Sequence, residues 1–115
     1  WLDKEEQIDD IASISGSGPA YFFLFMEAMQ QQAKAAGFSE AVSRQLVQQT
    51  ALGAANMVVY NPELEISELR NNVTSKGGTT QAALTTFIDG GLTALVSRAM
   101  KAALNRAQAI AKQNS

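Results

Sequence analysis

With 115 residues, no cysteine and no histidine, the chain fits one domain and excludes thiolate chemistry, disulfide frameworks and the commonest zinc ligands, so no metal site is expected. Nine basic against eleven acidic side chains leave a formal net charge of −2, too little positive field to hold a nucleic-acid backbone. The longest apolar run, Ala20 to Met26, falls far short of the ~20 residues that cross a bilayer, so no membrane is expected either.

A chain of this length can bury a core of its own, removing roughly two-thirds of its unfolded surface on folding. Proton transfer, where needed, must use Asp, Glu, Lys, Tyr, a hydroxyl or water. The absence of cysteine suits a cytoplasmic location, and no basic segment ahead of a cleavage site marks a secretory signal. Because the chain opens on Trp1 rather than Met, it reads as a fragment.

The periodicity predicts five or six helices and no strand. The first runs from about Lys4 to Ile14, with Leu2, Ile8, Ile11 and Ala12 on one side and acids at its front, where the helix dipole favours them. Ser15-Gly16-Ser17-Gly18 is expected to break it. Pro19 suits a first helical position because it needs no N–H acceptor, and Ser17 or Gly18 supplies the cap. The second helix then continues to about Ala36 and stops at Gly37. Its first turns, Tyr21 to Met26, are apolar all round, and such a helix must be covered on several sides, in so small a chain partly by a second subunit.

Ser39 caps a third helix that ends at Asn61-Pro62, with Val42, Leu46, Val47, Ala51, Ala54, Met57 and Val58 at helical spacing. Gly53 within it permits close approach of another helix. A short helix around Ile66 to Val73 precedes Thr74-Ser75-Lys76-Gly77-Gly78-Thr79-Thr80, after which Ala82, Ala83, Leu84, Phe87 and Ile88 mark another that Gly90-Gly91 closes. The last helix carries the cleanest stripe, from Leu92 through Leu95, Val96, Ala99, Met100, Ala103 and Ala107 to Ile110. Acids crowd the start of the chain (Asp3, Glu5, Glu6, Asp9, Asp10) and bases its end (Arg98, Lys101, Arg106, Lys112). These are solvated helix faces, or ends through which two subunits attract one another. With no repeat or linker, residues 1–115 read as one continuous all-α domain, a helical bundle.

Only Ser75 to Thr80 has residue types that suggest a site. Paired glycines let backbone N–H groups converge, the helix start that follows adds partial positive charge, and the hydroxyls of Ser75, Thr79 and Thr80 complete a shell for a carboxylate or phosphate. The plain alternative is a Gly-rich connection whose threonines cap a helix. Ser15 to Pro19 reads better as a cap. Neither loop matches a dinucleotide fingerprint or a P-loop. Glu27 and Glu40, the acidic group Glu63, Glu65 and Glu68, and the two tyrosines, Tyr21 and Tyr60, are better read as solvated or packing positions than as acid–base groups.

Taken together, SGSGPAYFF, a long helix, ELRNNVTSKGGTTQAAL and a terminal amphipathic helix resemble the C-terminal domain of the pyrroline-5-carboxylate reductase family over nearly the whole chain. The resemblance implies a helical domain that interlocks with its twin as a homodimer, with a higher oligomer as an extension, beside an N-terminal Rossmann domain that is not in this chain. It also implies reduction of 1-pyrroline-5-carboxylate to L-proline with NADPH or NADH, bound mainly by that other domain, and no activity from this segment alone. Ser75, Gly77, Gly78 and Thr79 would hold the substrate carboxylate. Thr80, with its hydroxyl near the ring nitrogen, would be the catalytic residue, and Asn72 would face the cofactor. Where the family often carries Pro, this chain has Lys76, which leaves the loop less pre-set in φ and adds an N–H and a positive side chain. Two alternatives stay open, a non-catalytic helical interaction module and the helical domain of another NAD(P)-dependent dehydrogenase.

Overall fold

Helix starts and stops in this chain are written in short-range hydrogen bonds. The computed structural model describes residues 5–113; the expected start of the first helix at Leu2, Asp3 and Lys4 lies outside the described residues. Among these residues six α-helices follow in order: α1 (Glu5–Ile11), α2 (Gly18–Ala35), α3 (Glu40–Tyr60), α4 (Ile66–Asn72), α5 (Thr79–Asp89) and α6 (Leu92–Gln113), with a π-helical turn, Ala12–Gly16, between the first two. No strand occurs among the described residues, in agreement with the all-α expectation.

The π-helical turn departs from the sequence reading, which breaks the helix at Ser15. Instead the Ser17 N–H reaches five residues back to the Ala12 carbonyl at 3.0 Å. Side-chain hydroxyls account for the widened turn. Ser13 Oγ donates to the Asp10 carbonyl at 2.8 Å and Ser15 Oγ to the Ile11 carbonyl at 2.9 Å. Such back-bonding competes with the amides for helix acceptors and opens the turn. Tyr21, one turn into α2, fixes the segment from the other side by donating its phenol to the Ser13 carbonyl at 2.8 Å. Its polar tip therefore has a structural task.

Other boundaries follow the predicted chemistry. After α2, Gly37 takes φ +107°, Phe38 N–H bonds the Ala33 carbonyl and Gly37 N–H that of Lys34, which together make a Schellman motif. Ser39 Oγ accepts from Val42 N–H at 3.2 Å at the start of α3, and at its end Asn61 Nδ2 donates to the Met57 carbonyl at 2.8 Å. Gly91 ends α5 at φ +84° and then offers its carbonyl to Leu95 N–H at 2.9 Å to begin α6.

The chain divides into two compact units. In the first, made of the described residues up to Phe23 and from Phe87 onward, α6 lies against the π-helical turn and α1. The acidic first helix and the basic last one thus share a unit within one chain. In the second, Leu24–Thr86, α4 packs on α3.

Burial overturns one expectation. Among the described residues Val47 is the sole buried large hydrophobic side chain, at 7% exposure, with Ser43 fully buried one turn before it. Phe22, Val59 and Tyr60 remain 73%, 67% and 76% exposed. The surface of 9253 Å² compares with about 6,100 Å² for a globular monomer of 12.3 kDa. Against about 17,800 Å² for the unfolded chain, only about half is removed rather than two-thirds. Helices whose apolar residues lie on several faces cannot bury them all against so few neighbours. The length suffices for a core, but the described residues leave most of their large apolar side chains open.

Candidate functional site

The segment singled out by its glycines and hydroxyls joins α4 to α5 within the second unit. Its first residues close α4. Val73 N–H bonds the Arg70 carbonyl at 3.3 Å, Thr74 N–H that of Asn71 at 3.1 Å, and Thr74 Oγ1 that of Arg70 at 2.6 Å. Ser75 through Gly78 then form a tight turn in which Gly78 N–H donates to the Ser75 carbonyl at 3.1 Å. Gly77, the third residue of that turn, has φ +75°, the conformation a type II turn requires of its third residue and the one Gly adopts without steric cost. Lys76 occupies the second position, where proline is favoured in such turns. The backbone conformation of that position is open to lysine as well as to proline.

Gly78 is needed for a different reason. A Cβ there would stand 2.5 Å from Ser75 Oγ and 3.2 Å from the Ser75 carbonyl oxygen, so the glycine lets Ser75 fold over the start of α5. From Gly78 the helix begins, with Ala82 N–H donating to the Gly78 carbonyl at 3.2 Å as the first helical bond. The N–H groups of Thr79, Thr80 and Gln81 precede that bond and have no backbone acceptor, as the first amides of any helix must. Beside them Ser75, Thr79 and Thr80 are exposed and Gly78 is half-buried. Three hydroxyls and a set of unsatisfied amides at the positive end of a helix dipole form a donor-rich surface fit for a small anion.

Gly77 N–H does not belong to that open set. It donates to the side-chain oxygen of Gln81, one turn into α5. Sequence reasoning passed over Gln81, although a signal was present: a Gln at the third helical position reaching back across the cap follows the logic of a capping box. Asn72 is the last residue of α4 and is exposed. Glu63, Glu65 and Glu68 are exposed as a solvated acidic face, and no group of carboxylates able to hold a metal occurs among the described residues. The second Gly-rich stretch, Ser15 to Pro19, is taken up in the π-helical turn and the start of α2.

A helical segment that leaves its apolar faces open offers surface that a partner can cover. The sequence profile of the pyrroline-5-carboxylate reductase dimerisation family matches residues 5–110. The chain is 56% identical over 112 residues to a pyrroline-5-carboxylate reductase of Vibrio alginolyticus, covering 97% of this chain and 41% of that protein. Among solved structures, a pyrroline-5-carboxylate reductase from Coxiella burnetii superposes with a TM-score of 0.88 at 45% identity, covering 94% of this chain and 40% of the other. A Plasmodium falciparum pyrroline carboxylate reductase with NADP bound gives 0.86 at 33% identity, covering 92% and 40%. The chain belongs to the pyrroline-5-carboxylate reductase dimerisation family. It spans about two-fifths of the length of the relatives it matches.

Proposed function

We propose that this chain serves as the dimerisation and substrate-site part, residues 1–115, of a cytoplasmic pyrroline-5-carboxylate reductase, which reduces the C=N bond of 1-pyrroline-5-carboxylate to give L-proline. The observation that carries the reading is the donor-rich start of α5. There the amides of Thr79 and Thr80 lack acceptors, and the hydroxyls of Ser75, Thr79 and Thr80 surround a turn fixed by Gly77 and Gly78. A carboxylate seated there would be held by charge-assisted hydrogen bonds, with the Thr80 hydroxyl left to address the ring nitrogen. Holding the ring in place and favouring its protonated imine are the tasks left to these residues. A reduced nicotinamide cofactor, NADPH or NADH, would supply hydride for the protonated imine, whose nitrogen would keep its proton as the secondary amine of proline. Neither Gly-rich loop of this chain has dinucleotide-binding spacing, so the cofactor is held mainly by other parts of the reductase, with Asn72 as this segment's contact.

The partner is a second copy of the same segment. The surface exceeds that of a globular monomer by roughly 3,000 Å², and obligate homodimer interfaces bury about 2,000–5,000 Å² in total. Two such chains have ample apolar area to form one. The test is to graft residues 1–115 in place of the matching segment of the Vibrio alginolyticus relative. Imine reduction that falls by about a hundredfold in Thr80→Ala supports the reading. A folded, dimeric graft without reductase activity contradicts it and favours a non-catalytic helical module; preference for a hydroxy acid would assign the segment to another dehydrogenase.

A further inference from the structure

The geometry points to Gln81 as a built-in stand-in for the substrate carboxylate, a side chain that occupies the Gly77 amide until substrate takes its place. The inference rests on the proposed reading of Ser75 to Thr80 as the carboxylate site. Of the amides around the turn, that of Gly78 is consumed by the Ser75 carbonyl, which is part of the turn itself. Gly77 N–H is different, because its acceptor comes from a side chain. Gln81 is exposed, so its carboxamide can rotate away on the nanosecond scale of surface rotamers without disturbing any backbone bond. The acceptor it presents is a neutral amide oxygen, and a carboxylate accepts from an N–H roughly twice as strongly. Exchange of one for the other therefore runs downhill once substrate arrives.

Gly77 adopts its left-handed conformation, φ +75°, at no steric cost because it is glycine, so release of the Gln81 bond leaves the turn in place. Gln81 is accordingly a competing acceptor at the seat and takes no part in the chemistry. The competition it offers falls on substrate binding and leaves hydride transfer at saturation untouched.

The test uses the complete grafted reductase and the steady-state constants for 1-pyrroline-5-carboxylate. Gln81→Glu keeps the reach of the side chain but replaces the neutral acceptor with a carboxylate tethered at the seat; the expected result is a KM raised at least tenfold with kcat within twofold, persisting at 0.5 M salt. Gln81→Ala removes the competitor and is expected to lower KM two- to fivefold. A purely structural role for Gln81 predicts the opposite order, with the alanine variant the worse of the two and kcat falling in both. An unchanged KM in Gln81→Glu, or a rise that vanishes in salt and so reports only through-space repulsion, overturns the inference while leaving the function intact, provided Thr80→Ala still lowers kcat/KM by about a hundredfold. If the graft reduces no imine at all, the functional reading fails first and the inference falls with it.

Discussion

The turn from Ser75 to Gln81 and the faces of α2 and α3 meet the same requirement, that groups removed from water find partners, in opposite ways. Around the turn nearly everything is settled within seven residues: the Ser75 carbonyl takes Gly78 N–H, Gln81 takes Gly77 N–H, and Gly78 lacks a side chain where Ser75 folds over. What is left open there is a small set of donors, the amount a small anion can satisfy. Along α2 and α3 little is settled. Phe22, Phe23, Leu24, Val59 and Tyr60 are exposed, and the chain's single buried large hydrophobic side chain among the described residues, Val47, lies on α3. Polar satisfaction is short-range and one chain can supply it, whereas apolar burial scales with area and here needs more area than one chain offers.

The largest expected effect breaks the apolar side of that contrast. Phe22→Asp removes a large side chain proposed to be buried by the partner and places a charge in its stead. At about 2 kcal/mol or more per chain, counted twice in a symmetric dimer, the dissociation constant should rise about a thousandfold, measurable by sedimentation equilibrium. An unchanged constant would mean that α2 faces water in the assembly. The polar side is next: in the grafted reductase Thr80→Ala should lower kcat/KM by about a hundredfold while the dimer and its thermal midpoint stay as they are. Gly78→Ala, which sets a methyl group against Ser75, should raise KM about tenfold, equivalent to about 1.4 kcal/mol, again with the dimer intact. Smallest is Ser39→Ala, which removes the N-cap of α3. About 1 kcal/mol of stability should be lost, seen as a lower thermal midpoint with unchanged KM.

How much could be read from residues alone follows the same division. Ser39, Gly37, Asn61 with Pro62, and Gly91 act at the helix ends where their chemistry predicted, because capping is decided by a residue and its neighbours within one turn. The turn at Gly77 and Gly78 was legible for the same reason. The π-helical turn was not, since it depends on Tyr21 returning to Ser13 across eight residues and on serine hydroxyls bonding backward instead of ending the helix. Gln81 was overlooked because its partner is an amide one turn back, and a Gln in a helix reads as a solvated position. The open core was half legible. The apolar girth of Tyr21 to Met26 called for outside cover, yet chain length alone suggested a closed core, because length bounds how much surface a fold can bury without saying whose surface covers it.

The most direct test of a core shared between two chains is how the thermal midpoint of residues 1–115 depends on concentration. If two copies share one core, folding is coupled to association, and going from roughly 1 µM to roughly 100 µM stabilises the folded state by about 2.7 kcal/mol. The midpoint should then climb by about 5–10 °C. A cooperative transition whose midpoint stays fixed over that range would mean that one chain closes its own core, and the shared core would be refuted.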